Sequence, residues 1–158
     1  MQVTKRSGEK ESVKFEKISK RISRQSKDLK NIDVAEVSSK IISGLYNGVS
    51  SMELDNLGIE VSYALSVKHP EYDVLAKRLA ITALHKTTES SFSAAMDKLQ
   101  QNKDSAGKIQ PILSDYVYKF IKKNSTILDA TIDSNRDFLF DYFGFKTLCK
   151  SYLQKVDG

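Results

Sequence analysis

The chain has one cysteine, Cys149, and two histidines, His69 and His85, in 158 residues. A single cysteine excludes an internal disulfide. With only two histidines beside it, a cysteine-based zinc cluster is excluded as well, because tetrahedral zinc needs four ligands. No apolar run is long enough to cross a bilayer, and no apolar stretch follows the basic N-terminal residues, so neither a spanning helix nor a secretory signal is expected and the cytoplasm is the expected location. The common catalytic signatures are also missing: there is no GxxxxGK(S/T), no GxGxxG after a strand, no HExxH and no GxSxG. Cys149 lies between Leu148 and Lys150 with no identifiable base, and neither histidine has an assignable nucleophile as partner, so packing or solvent roles are expected for all three. No internal repeat or low-complexity tract is present.

What remains is a composition of 40% hydrophobic and 28% charged residues, which suits a soluble protein of one ordinary domain or one small domain with an extension. The net charge of +5 is unevenly placed, with ten Lys/Arg against four Asp/Glu in residues 1–30 and near balance afterwards. A diffusely basic chain would suggest nucleic acid. A local excess beside a glycine turn suits a compact anion such as a nucleotide, which leaves nucleic acid as second choice.

Val3 and Lys5 alternate, as do Val13 and Phe15, around a turn at Ser7-Gly8, which predicts a hairpin. Lys5, Arg6, Glu11 and Lys17 gather around that turn, just before a helix start, and read as a polyphosphate grip. The cations bind phosphate oxygens, the acid orders the cations or accepts from a ribose hydroxyl, and the helix start adds backbone donors. The alternative is a solvated basic hairpin. Helical spacing then sets in at Ile18 and Ile22. Asp33 is a cap for a second helix carrying Val34, Val37, Ile41, Ile42 and Leu45. Ser50 and Glu53 are spaced as a capping box for a third, with Leu54, Leu57, Val61, Ala64 and Leu65 expected toward the core. Pro70 opens a fourth, with Leu75, Leu79, Ala83 and Leu84 as its stripe. Each helix has one apolar face, so a mainly α fold follows, a small four-helix bundle capped by a β element. Beyond Lys86, Phe92 and Met96 continue a helix that breaks in the polar run 100–109, and 111–128 is again expected to be helical. Five of the seven phenylalanines fall between Phe120 and Phe145, a density that predicts packing against more protein than this chain supplies.

Four segments, VTKRSGEKESVKFEKI, GLYNGVSSMELDNL, KHPEYDVLAKRLAITALHK and DYFGFKTLCKSYL, occur in this order over nearly the whole chain. Together they resemble the N-terminal region of the large subunit of class I ribonucleoside-diphosphate reductases of the eukaryotic and viral type. The resemblance implies that residues 1–92 form an ATP-cone, a four-helix bundle capped by a small β-hairpin or sheet, and that 93–158 begin the helical region ahead of the catalytic barrel. It implies a regulatory domain that binds ATP or dATP, with Mg2+ accompanying the nucleotide. Its implied partners are the rest of a large subunit, other large subunits and the radical-generating small subunit, with no membrane.

Carried over by position, the resemblance implies nucleotide contacts at Lys5, Arg6, Glu11, Lys17 and Lys86, with a second wall from Ser51 and Asp55. Asp55 matches the acidic residue with which family members distinguish dATP from ATP. Ser51 stands where threonine is usual, keeping the hydroxyl but losing a methyl, which leaves nucleotide preference open. On local grounds alone Ser51 extends a helix cap, Asp55 favours the helix dipole, and Lys17 is a solvent lysine. The family reaction needs three cysteines in the absent barrel, so this chain is expected to be inactive in ribonucleotide reduction by itself. The alternative readings are a free-standing ATP-cone that acts on a partner, or a basic nucleic-acid binder.

Overall fold

In the computed structural model, residues 1–153 are described. The chain opens with a hairpin around the expected turn: β1 (Gln2–Thr4) pairs antiparallel with β2 (Lys10–Ser12), Val3 facing Glu11, so the second strand lies ahead of the expected Val13–Phe15 alternation and Phe15 instead begins a helix. The turn between them is closed by the Gly8 amide donating to the Lys5 carbonyl at 2.9 Å and the Lys5 amide donating to Glu9 at 2.8 Å. Gly8 sits at φ +83°, a left-handed value that a side chain would resist. Helices α1 (Phe15–Gln25) and α2 (Val34–Ser43) follow. Asp33 caps α2 as its position predicts, accepting from the Glu36 amide at 3.0 Å.

A short strand that sequence patterning did not announce, β3 (Val49–Ser50), lies parallel to β1, Val3 beside Val49 and Thr4 beside Ser50. The sheet order is therefore β2-β1-β3, with the first strand in the middle. Ser50 ends β3 and caps α3 (Ser51–Ala64), forming the full capping box with Glu53. This coupling of strand end to helix start sets the first turns of α3 beside the hairpin turn that carries Lys5 and Arg6.

The buried face of α3 departs from the expected one. Asp55, Gly58, Ile59 and Ser62 are buried, and Leu65 just after them, whereas Leu54, Leu57 and Val61 are half-buried and Ala64 is exposed. Helix α3 packs on α2 and its C-cap through this face: Gly58 lies against Ile41, and Leu57 reaches Gly44, where a Cβ would stand only 3.0 Å from Leu57 Cδ2. Ser62 satisfies its buried hydroxyl on the Gly58 carbonyl at 2.7 Å. Helix α4 (Glu71–His85) buries Tyr72, Leu75, Ala76, Leu79, Ala80 and Ile81. With Ile18, Ile22, Val37 and Ile41 these fill the core. Arg78 fastens α4 to the α1–α2 connection through a two-pronged pair with Asp28 at 2.6 and 2.7 Å and a bond to the Gln25 carbonyl at 2.8 Å.

The described residues divide into two compact units, one of 1–83 with 137–153 and one of 84–136. In the first, α8 (Tyr142–Ser151) sets Tyr142 against Tyr63 with ring centroids 4.6 Å apart. The second holds α5 (Phe92–Gln100), α6 (Asp115–Lys123) and α7 (Ser125–Thr131). The single helix expected over 111–128 is thus two, broken at Asn124, whose side chain turns back to the Phe120 carbonyl at 2.8 Å. Helix α5 is likewise separate from α4, because Ser91 starts it as a new N-cap. Polar bridges tie this unit: Asp129 accepts from the Ser93 amide and hydroxyl at 2.8 and 2.6 Å, and Asp97 accepts from Tyr118 and Lys122 at 2.8 and 3.0 Å. Many of its hydrophobic residues are exposed, Tyr116 at 81% and Ile127 at 68% among them, and Ile121 is buried. Among the described residues no helix is long and apolar enough to cross a membrane.

Candidate functional site

Two consecutive cations, Lys5 and Arg6, leave the hairpin turn. Two more, Lys17 and Arg21, stand one helical turn apart on α1 and so project from the same face. Between them are two carboxylates. Glu11 on β2 takes Lys5 at 3.0 Å and Lys17 at 2.7 Å, each on its own oxygen. Asp55 on α3 takes Arg6 at 2.8 Å on one oxygen and Arg21 on the other. Each acid is therefore straddled by one cation from the turn and one from α1.

The environments of the two acids differ. Glu11 is partly open, and the hydrogen bonds from Lys17 and then Lys5 hold its carboxyl down at about 2. Lys5 is raised in turn, chiefly by Glu11 and then by Glu9, which lies 3.1 Å from its ammonium. Asp55 is buried, only 6% exposed. A lone carboxylate there would be costly, and two guanidinium groups compensate it. Arg21 is the more strained partner. Burial, and after it the neighbouring charge of Arg6, lowers its affinity for its proton. Its Nη2 is buried and has no hydrogen-bond partner among the described residues.

Four cations on two carboxylates leave a surplus of two positive charges, and adding Lys14, 3.8 Å from Glu11, together with Glu9 leaves that surplus unchanged. Such a set suits a polyanion. Its donors are held in position before a ligand arrives, and phosphate oxygens can exchange with carboxylate oxygens as partners.

The structure brings together Lys5, Arg6, Glu11, Lys17 and Asp55 of the residues expected from sequence. Ser51 is the first residue of α3, while its neighbour Ser50 makes the cap, so Ser51 takes no part in the capping box. Lys86 follows the end of α4, exposed, and belongs to the second unit. Arg21 was not foreseen. The available signal was its place on α1 directly before the buried Ile22 and one turn beyond Lys17, which sets it at the margin of the buried face rather than on the solvated side. An open groove along α1, lined by Ser19, Lys20, Ser23, Arg24, Lys27 and Val34, contains none of the expected residues. No group of three or more His, Cys, Asp or Glu among the described residues could hold a metal ion.

The hairpin turn, the first helix and the start of the third thus form a basic grip. The ATP cone domain matches residues 1–87, and the chain belongs to the ATP-cone family, a family of nucleotide-effector modules. Over its full length it is 42% identical to the ribonucleoside-diphosphate reductase large chain of Schizosaccharomyces pombe, covering 20% of that protein. It is 44% identical over 98% of its length to the large subunit of Caenorhabditis elegans, again covering 20% of that protein. The large subunit of Monkeypox virus is 42% identical over the whole chain, which covers 21% of it. The likeness is to the N-terminal region of these eukaryotic and viral subunits, and the chain spans about a fifth of the length of the curated relatives it matches.

Proposed function

We propose that this chain is the allosteric module through which a ribonucleoside-diphosphate reductase large subunit senses ATP and dATP, and so acts in deoxyribonucleotide supply in the cytoplasm. The observation that carries this is the pair of carboxylates, Glu11 and Asp55, each held between a turn cation and an α1 cation, with positive charge in surplus. On this reading the triphosphate draws Lys5, Arg6 and Lys17 from their carboxylates. Glu11 and Asp55 then orient the cations or accept from the sugar, and Ser51 contributes its hydroxyl at the start of α3. Lys86 enters on the family correspondence alone. Residues 1–92 are the regulatory domain and 93–158 the beginning of the helical region that follows it. The magnesium ion travels on the nucleotide phosphates, where it offsets charge that the site's surplus of two does not balance.

Regulation then requires that the nucleotide prefer one association state of large subunits, with each other or with the small subunit, because a ligand shifts an equilibrium only by its differential affinity. The test is calorimetric titration of the purified chain with ATP and with dATP in the presence of magnesium, with mass followed by light scattering. Micromolar binding is expected, weakened by about ten- to a hundredfold in Lys5→Ala, the loss of one charge-assisted hydrogen bond. Asp55→Asn is expected to change the ratio of dATP to ATP affinity. A folded wild-type chain that binds neither nucleotide would refute the proposal.

A further inference from the structure

Arg21 has one arm of its guanidinium on Asp55 and the other, Nη2, buried without a partner among the described residues. Native proteins rarely leave a buried donor unmade, since the desolvation of that group is then uncompensated. The neighbourhood offers no relief. Among the described residues the carboxylate that pairs with Arg21 is Asp55, which also serves Arg6 at 2.8 Å, so two guanidinium groups share one negative charge. A fork whose first arm is fixed by a buried acid and whose second has no acceptor is rotationally locked, and an arginine in that state is prepared to take an anionic oxygen without further loss of side-chain freedom.

We infer that Arg21 is a further anion contact of this site, its Nη2 donating to a phosphate oxygen of the bound ligand while Asp55 holds its Nη1. The inference deepens the nucleotide reading and rests on it for the identity of the ligand, though not for its anionic character. It divides the work at Asp55. Arg6, on the hairpin turn, can leave the carboxylate for phosphate, whereas Arg21, on α1, remains and keeps Asp55 paired. Asp55 is then never left as an uncompensated buried charge when the ligand enters. The proton affinity of Arg21, lowered by burial and by Arg6, agrees with a cation short of negative charge.

The experiment is titration of the 158-residue chain, wild type, Arg21→Lys and Arg21→Gln, with ATP and with inorganic tripolyphosphate, alongside a thermal melt of each variant. Arg21→Gln is expected to weaken both ligands about ten- to a hundredfold. Arg21→Lys, which keeps the charge but not the fork, is expected to lie between. On the wild-type protein, NMR of the arginine Nη groups, assigned through the bonds to the Arg21 backbone, is expected to show its Nη2 protons shifting when tripolyphosphate is added. This reading stands even if a variant does not fold. Unchanged tripolyphosphate affinity in a folded Arg21→Gln, or unmoved Nη2 protons at saturation, overturns the inference and leaves the nucleotide proposal intact. Arg21-dependent binding of tripolyphosphate with no binding of ATP keeps the inference and sinks the nucleotide reading. If the wild type binds neither, both fall.

Discussion

Replacing Asp55 by asparagine keeps the side chain's size and removes the one charge that separates Arg6 from Arg21. The carboxylate is 6% exposed and its partners are 31% and 26% exposed, so the pairs lie between two limits. Breaking a fully buried pair by removing one partner costs about 3–5 kcal/mol, and a surface pair is worth about 0–1 kcal/mol. The partial exposure of both arginines allows water to relieve part of the repulsion, which puts the expected loss at about 2 kcal/mol, a fall of roughly 5–15 °C in melting temperature for a unit of this size. The assay is urea and thermal unfolding followed by circular dichroism, set out as a cycle with Arg21→Met. Methionine fills the space of the arginine stem without its charge, so in that background Asp55→Asn leaves only Arg6 unpaired, and Arg6 can turn to solvent. The second substitution should then cost about 1–2 kcal/mol less than it does alone. Equal cost in both backgrounds would show that Asp55 and Arg21 are not coupled, and with that the account of the site would fail. A loss below about 0.5 kcal/mol in Asp55→Asn would show that the buried charge is not held as described.

The acid side of the stability curve should carry the signature of Glu11 and Asp28, whose carboxyls are both held at about 2, the first by Lys17 and the second by Arg78. Folded values below the unfolded ones mean that each contributes stability that is complete above the ordinary carboxylate range and is lost as pH falls from there toward 2. Glu11→Gln and Asp28→Asn should each flatten that limb in a pH series of unfolding curves, and an unchanged slope would contradict the pairing. Ser50→Ala removes the side chain that accepts from the Glu53 amide at 3.1 Å and should cost about 1 kcal/mol in denaturant unfolding. Since the same residue ends β3, hydrogen exchange at the start of α3 should quicken with it.

Local chemistry carried most of what was legible. The Asp33 cap and the Ser50–Glu53 box rest on residues within a few positions of each other and formed where their spacing placed them, whereas the hairpin kept its turn but took Lys10–Ser12 as its second strand in place of the Val13–Phe15 alternation. The face of α3 was misjudged because hydrophobicity is a poor guide where backbones approach closely. There Gly58 and Ser62 are buried while Leu57 and Val61 are half-buried, Gly58 lying against Ile41 and Leu57 against Gly44. The strand β3 is two residues long and exists through its pairing with β1, a long-range event without a local pattern. Arg21 reads in isolation as one more cation of a basic helix. Its burial is set by Asp55, thirty-four positions later on another helix, and by the turn carrying Arg6. The grip was therefore half visible: the cations clustered in sequence could be named, and the acid that joins them from afar could be named only through resemblance.

The parallel pairing of β1 with β3 also sets a timetable. Val3 finds Val49 only after α1 and α2 have been made between them, and Arg6 finds Asp55 across forty-nine positions. Such contacts must meet the entropy of closing a long loop before they return any stability, and so they form late relative to helices and hairpins. At about 5–20 residues synthesised per second, the first strand waits several seconds for its neighbour. Until then Arg6 has no Asp55 to hold it. A nascent chain thus carries its cations before it can arrange them, and ligand affinity should appear in one step, when the third helix docks.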